Sequence, residues 1–97
     1  MPTYVTLYKY TAQGIQKIKD APNRVEALTK AATQAGMTVK ETLWLQGEYD
    51  FIAIVEAPDE IAAAAFNINN LKQGNVTTHT MRAFTSAEMK KILEHVA

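Results

Sequence analysis

Ninety-seven residues, 47% of them hydrophobic and 21% charged, make one small globular domain over residues 1–97 and exclude a disordered or fibrous chain. Ten Lys plus Arg balance ten Asp plus Glu, so no basic excess draws the chain to nucleic acid or to an anionic membrane. The absence of cysteine removes disulfides, thiolate nucleophiles and cysteine-based metal sites.

The N-terminal residues lack a basic stretch followed by a long apolar run, so no signal peptide is expected. The longest apolar run, Ile61 to Phe66, falls far short of the roughly 20 residues that a bilayer crossing takes. A cytoplasmic protein is the expectation.

Tyr4 to Tyr10, rich in Tyr, Val and Thr, predicts a first strand. Thr11 to Gly14 reads as a turn, and Ile15 with Ile18 as one short helical turn. Pro22 suits the first turn of a helix over 22–35, in which Val25, Leu28, Ala31, Ala32 and Ala35 recur at helical spacing before Gly36. Met37 to Leu45 and Tyr49 to Glu56 are two strands of a hairpin turned by Gln46-Gly47-Glu48. In the first of them Val39, Leu43 and Leu45 take one parity, and Thr38, Lys40, Thr42 and Trp44 the other.

Pro58-Asp59-Glu60 opens an alanine-rich helix, and Val76 to Phe84 is the fourth strand. Thr85 and Glu88 form a capping box for a last helix carrying Met89, Ile92, Leu93 and Val96, with His95 in its last turn. The order βαββαβ plus a C-terminal helix predicts an α+β, ferredoxin-like fold. Its four-stranded antiparallel sheet has strand order 4-1-3-2 and helices on one face.

Phe51-Ile52-Ala53-Ile54-Val55 is apolar on both parities, the pattern of a strand covered on both sides. Helices cover one side only, and large exposed apolar patches are rare in monomers. A homodimer closing two sheets into a dimeric α+β barrel supplies the second cover. The competing cover is the last helix folded back over the open face.

Thr6, Tyr8, Trp44 and Thr78 are expected to share that open face and line a semi-polar pocket for a small, partly apolar ligand, with Arg82 as a fork for a carboxylate or phosphate. Tyr49 and Asp50, in the Gly47-Glu48-Tyr49-Asp50 turn, are the remaining ligand-binding candidates. An alternative is a cofactor-independent oxygenase or isomerase, with Asp50 as base, Tyr8 or Tyr49 as proton donor and Arg82 at an oxyanion. Hairpin chemistry for Asp50 and a plain ion pair for Arg82 are the simpler readings. His79 and His95 lack metal-ligand spacing, so no metal and no cofactor are expected. A haem would need a histidine on the pocket side, and the parity of His79, opposite Thr78, argues against one.

The run Gly47 to Asp59 (G-E-Y-D-F-I-A-I-V-E-A-P-D) resembles the GYD domain family. Thr11 to Asp20, Gly74-Asn75-Val76 and Arg82 to Thr85 agree with it as well. The resemblance covers nearly the whole chain and implies the dimeric α+β-barrel architecture. It implies no reaction and no catalytic residues. The wider barrel class holds cofactor-free oxygenases, isomerases, haem enzymes and ligand-sensing regulators, and fold alone does not choose among them.

Overall fold

The strands and helices follow one another as β1 (Thr3–Tyr10), α1 (Ala12–Gln16), α2 (Ala21–Gln34), β2 (Thr38–Trp44), β3 (Phe51–Glu56), α3 (Glu60–Leu71), β4 (Val76–Ala83) and α4 (Ser86–Leu93), in a computed structural model that describes residues 1–97. A 3-10 turn, Ile18–Asp20, joins α1 to α2. The helices begin where the sequence supplies caps. Thr11 accepts from the Gly14 amide, Asp59 accepts from the Ala62 amide at 2.8 Å, and Thr85 and Glu88 close a reciprocal capping box. Helix α2 carries Pro22 in its first turn and ends before Gly36, whose φ of 81° suits the left-handed exit. Helix α4 ends at Leu93, so His95 lies two residues beyond it and not in its last turn. No helix is long and apolar enough to cross a membrane.

All strand pairs are antiparallel, and the order across the sheet is β2-β3-β1-β4. Read from the other edge, that is 4-1-3-2. Residues directly opposite one another share a face. Tyr4, Thr6 and Tyr8 of β1 lie opposite Val55, Ala53 and Phe51 of β3 and opposite Arg82, Thr80 and Thr78 of β4. This is the face beneath α2 and α3, and Tyr4, Thr6, Tyr8, Phe51, Ala53 and Val55 are all buried on it. The opposite face carries Val5 and Leu7, flanked by Ile54 and Ile52 on one side and Met81 and His79 on the other.

Two expectations are corrected here. Thr6, Tyr8, Trp44 and Thr78 do share a face, but it is the helix-covered one: Thr6 and Tyr8 are each 4% exposed. The reason lies in α3, which turns Ala63, Phe66, Asn67 and Asn70 toward the sheet. Asn70 Nδ2 donates to Tyr8 Oη at 3.1 Å, and Asn67 Oδ1 accepts from Thr78 Oγ1 at 2.7 Å. With polar partners above, Tyr8 and Thr78 can sit beneath the helices, while the buried Tyr4 hydroxyl lacks a partner.

The second correction concerns β2. A β-bulge between Val39 and Glu41 shifts its register, so Val39 sits opposite Val55 and shares the helix side with Thr42 and Trp44. Glu41 and Leu43 are left on the other side.

The core divides into two clusters. One gathers Tyr4, Ala32, Met37, Val55, Ala57, Ala63 and Phe66; the other holds Tyr8, Phe51 and Ala53 with Val25 and Val76 against them. The body is 19 Å across its thinnest direction. That fits one helix layer about 10 Å thick on one sheet, with no third layer. Helix α4 supplies none: it has no buried residue, and Met89 and Leu93 stay exposed.

Candidate functional site

Two features stand out, one on each side of the sheet. On the open side Val5, Leu7, Ile52 and Ile54 form a half-buried aliphatic block, with exposed Leu43 (52%) and Met81 (46%) at its edges. Six aliphatic or thioether side chains on adjacent strands make a continuous apolar patch. At one end Tyr49 stacks edge-on to His79, ring centroids 5.7 Å apart, with the Lys9 ammonium 5.3 Å from the Tyr49 centroid. Tyr49 therefore borders this face, and so does His79, which faces away from Thr78 as parity required.

On the helix side a cleft of about 460 Å³ separates α2 from α3, between the two core clusters. Tyr8 and Phe51 of the sheet, Phe66 of α3, Val25 and Leu28 of α2 and several alanines, among them Ala27, Ala31 and Ala65, line it. Tyr8 and Phe51 meet edge-to-face at 5.3 Å. Burial pushes the Tyr8 phenol up to about 12, so it stays neutral and serves as a hydrogen-bonding group.

The end of the cleft near α1 is rigidly built. Thr11 Oγ1 donates to the Gly74 carbonyl at 2.7 Å, and Gln13 Nε2 donates to the Gln73 carbonyl and to Asn75 Oδ1. A Cβ at position 14 would lie 2.0 Å from the Asn75 carbonyl oxygen, so this close approach admits only glycine. Arg24 lines the same end. Its Nη1 donates to the Lys17 carbonyl at 2.9 Å and lies 3.8 Å from the Asp20 carboxylate. Its Nη2 is buried with no hydrogen-bond partner in the protein.

The three residues considered for acid–base work do not converge. Asp50 Oδ2 accepts from the Tyr10 amide at 2.9 Å, and the Asp50 amide donates to the Tyr8 carbonyl at 2.8 Å. Asp50 thus pins the β2–β3 loop to β1, a long-range tie in place of the local turn bond that hairpin chemistry would supply. Arg82 Nη2 pairs with Glu88 Oε2 at 3.3 Å, and Arg82 Nη1 donates to the Thr3 and Ala83 carbonyls. Its guanidinium also lies over the Phe84 ring, 4.4 Å from the centroid. The Tyr8 hydroxyl is held by Asn70. No side-chain hydrogen bond or ion pair joins any two of these three, and Asp50 and Tyr8 meet only through their backbones. Thr6 and Thr80 share a hydrogen bond of 3.1 Å, and Trp44 Nε1 donates to Tyr10 Oη at 3.0 Å.

Arg24 and Asn70 were absent from the candidates read in the sequence. Both left signals: an arginine in a helix's first turn stands against the helix dipole, and an asparagine four residues from Phe66 falls on a helix's inner face.

The comparisons with known proteins agree with this fold. A Thermus thermophilus protein named glutamine synthetase and cystathionine beta-lyase binding protein is 28% identical over 90 residues, covering 92% of this chain and 95% of that one. The solved structure of FFRP-DM1 is similar, with a TM-score of 0.62 and 26% identity over 87% of this chain and 100% of that one. TTHA0845 from Thermus thermophilus gives 0.56 and 25% over 89% and 96%. MtbAldR shares the fold at a TM-score of 0.68 and 17% identity; the match covers 88% of this chain but only 54% of that one. The family pattern of the GYD domain matches residues 4–93. On that match the chain belongs to the GYD domain family.

Proposed function

We propose that this chain is a non-catalytic binding module that works as a homodimer, two copies closing their open sheet faces on each other. The observation that carries this reading is the uncovered aliphatic block of Val5, Leu7, Ile52 and Ile54 with Leu43 and Met81 beside it. Only 14 of 97 residues are buried in the single chain, so a second hydrophobic layer would add greatly to a thin core. The separation of Asp50, Tyr8 and Arg82 into three structural networks speaks against an enzyme built on them. The name of the Thermus relative supports a role in binding other proteins and suggests metabolic enzymes as the partner class. The small, partly apolar ligand belongs to the same reading. Its seat in this reading is the cleft between α2 and α3, which Tyr8 lines and Thr6 and Thr78 do not, and not the space between two sheets.

Sedimentation equilibrium tests the assembly. The wild type is expected at twice the chain mass at micromolar concentration. Leu7→Lys places a charge between Ile52 and His79, and an unpaired charge buried in an interface is costly enough to weaken the dimer by at least about a hundredfold. A wild type that sediments as a single chain at high concentration overturns the reading. So does a Leu7→Lys variant that stays fully dimeric.

A further inference from the structure

We infer that α4 is an exchanged arm: in the homodimer each copy lays the apolar stripe of its α4 against the margin of its partner's open sheet face. The inference rests on the dimer reading above and adds to it the element that completes the contact. Three observations carry it.

The first is that α4 has no seat in its own chain. It buries no residue and packs along no other element. The radius of gyration is 14.6 Å, against about 12.5 Å for a compact chain of this length. The longest dimension is 50 Å, while strands as long as β1 and β4 span only about 27 Å. Phe84 and Thr85 alone link β4 to α4. The capping box and the Arg82–Glu88 pair hold the first turn of α4 at the end of β4, which directs the helix away from its own sheet. Beyond that first turn, a helix of eight residues is too short to persist in water without a surface to pack on.

The second is the stripe. Met89, Ile92 and Leu93 fall at the i, i+3 and i+4 spacing of one helix face. After α4 the amides of Glu94, His95 and Val96 donate to the carbonyls of Lys91, Ile92 and Leu93. Such i→i+3 bonds bring Val96 into line with Leu93. Lys90, Lys91 and Glu94 take the other side. Met89, Leu93 and Val96 are all exposed in the single chain.

The third is area. Each partner in a stable contact gives up about 800 Å², more than half of it apolar. In the open block Val5, Leu7, Ile52 and Ile54 are already half-buried, and only Leu43 and Met81 are exposed. At on the order of 100 Å² for a fully exposed large aliphatic side chain, the block offers on the order of 200 Å². The stripe of α4 offers nearly as much again, and together they approach the apolar area that the contact needs. The occupant is a second copy because the stripe continues the open face. Met81, at the edge of that face, stands in β4 just ahead of α4, so a molecule that covers Met81 comes within reach of the helix. Two-fold symmetry makes the exchange reciprocal: each copy gives one arm and receives one.

The test is sedimentation equilibrium of the full chain as wild type, Leu93→Lys and Glu94→Gln, with amide exchange of α4 in the wild type and in the Leu7→Lys single chain. Leu93 is exposed within the subunit, and a cation near a helix C-terminus favours the helix, so Leu93→Lys leaves the fold and α4 in place. It is expected to weaken the dimer by at least about tenfold, because the charge meets an apolar contact. Glu94→Gln makes the same change in net charge on the polar side and is expected to leave the dimer as it was. Protection of the Ile92 and Leu93 amides, relative to their intrinsic exchange rates, is expected to be at least about tenfold higher in the dimer than in Leu7→Lys. A wild type that sediments as a single chain, or a Leu7→Lys variant that stays dimeric, overturns the dimer reading and the arm with it. A wild-type dimer that Leu93→Lys leaves intact, or that Glu94→Gln weakens equally, overturns the arm alone. So does equal protection of α4 in dimer and single chain; the sheet-to-sheet contact then stands without it.

Discussion

The two faces of this sheet are both apolar at the centre but differ in their cover and in their polar groups. The helix-covered face sets Thr6, Tyr8, Thr78 and Arg82 beside the core residues Tyr4, Phe51, Ala53 and Val55, and the open face carries Val5, Leu7, Ile52 and Ile54. Hydrophobicity alone does not tell the two sides apart. On the covered side Tyr8 is partnered by Asn70 and the threonines by Asn67 and one another, while the buried Tyr4 hydroxyl has no partner within the chain. Satisfied polar groups cost little to bury. The open side keeps its aliphatic groups because covering them is left to another molecule. Burial within one chain and hydrophobicity therefore report different things here: the first follows the helices, the second marks where a partner goes.

The sharpest way to break this comparison is to truncate one apolar residue on each face. The measurement belongs in the single-chain Leu7→Lys background, so that assembly does not mask subunit stability. Phe51 is buried and stacks on both Tyr8 and Trp44, at 5.3 and 5.1 Å. Phe51→Ala is expected to lower the unfolding free energy by about 3–5 kcal/mol in urea titrations. Ile54→Ala, on the open face, is expected to cost less than half as much, because the single chain leaves Ile54 only half-buried. Equal losses would mean that the open face is covered from within the chain.

A smaller effect tests the polar side. Burial lifts the Tyr8 phenol from 10.0 to about 12. Its folded value exceeds its unfolded one, so the stability linked to the neutral phenol is fully present below pH 10 and disappears as pH climbs through about 12. Tyr8→Phe removes this titration and leaves Asn70 Nδ2 without its acceptor. The variant is expected to be about 1 kcal/mol less stable than wild type at pH 8. The gap should close near pH 11, where the wild type has begun to lose its phenolic contribution. A gap that stays constant over that range would show that the Tyr8 hydroxyl reaches solvent.

The same contrast between faces sets how far the sequence could be read. Element order, the capping box at Thr85 and Glu88, and which β1 and β4 residues share a face were all legible, because capping and strand parity are local rules. The choice of face was not local. It depended on Asn67 and Asn70 arriving from α3 to meet hydroxyls on β1 and β4, and a period-2 pattern carries no record of that meeting. The bulge at Val39 and Glu41 likewise broke parity where no glycine announced it. Of the candidate residues, Asp50 and Arg82 have structural partners and Tyr49 borders the open face. The cleft was invisible because a void is a property of two helices jointly. Arg24 gave a faint signal only through its awkward place in the first turn of α2.

Helix α4 belongs to neither face and provides the mildest prediction. It has no buried residue, so its helicity leans on the cap at its start. The Thr85 amide, and after it Arg82, hold the Glu88 carboxyl below its ordinary 4.5. A carboxyl depressed in the folded state stabilises above its unfolded value, and the contribution fades as pH falls through the folded one. Protection of the Met89 to Leu93 amides against exchange, taken relative to the intrinsic rate at each pH, should therefore fall at acidic pH below 4.5, while protection in β1 and β3 stays high, because α4 can fray without opening the core. In Glu88→Gln the neutral side chain still reaches the Thr85 amide but loses its charge. Protection in α4 should then be slightly lower at neutral pH and indifferent to acid over the same range. Acid-sensitive protection persisting in Glu88→Gln would move the switch to another group. A fall in protection spreading into β1 would show that α4 is tied to the sheet after all, and that the open face has a cover within its own chain.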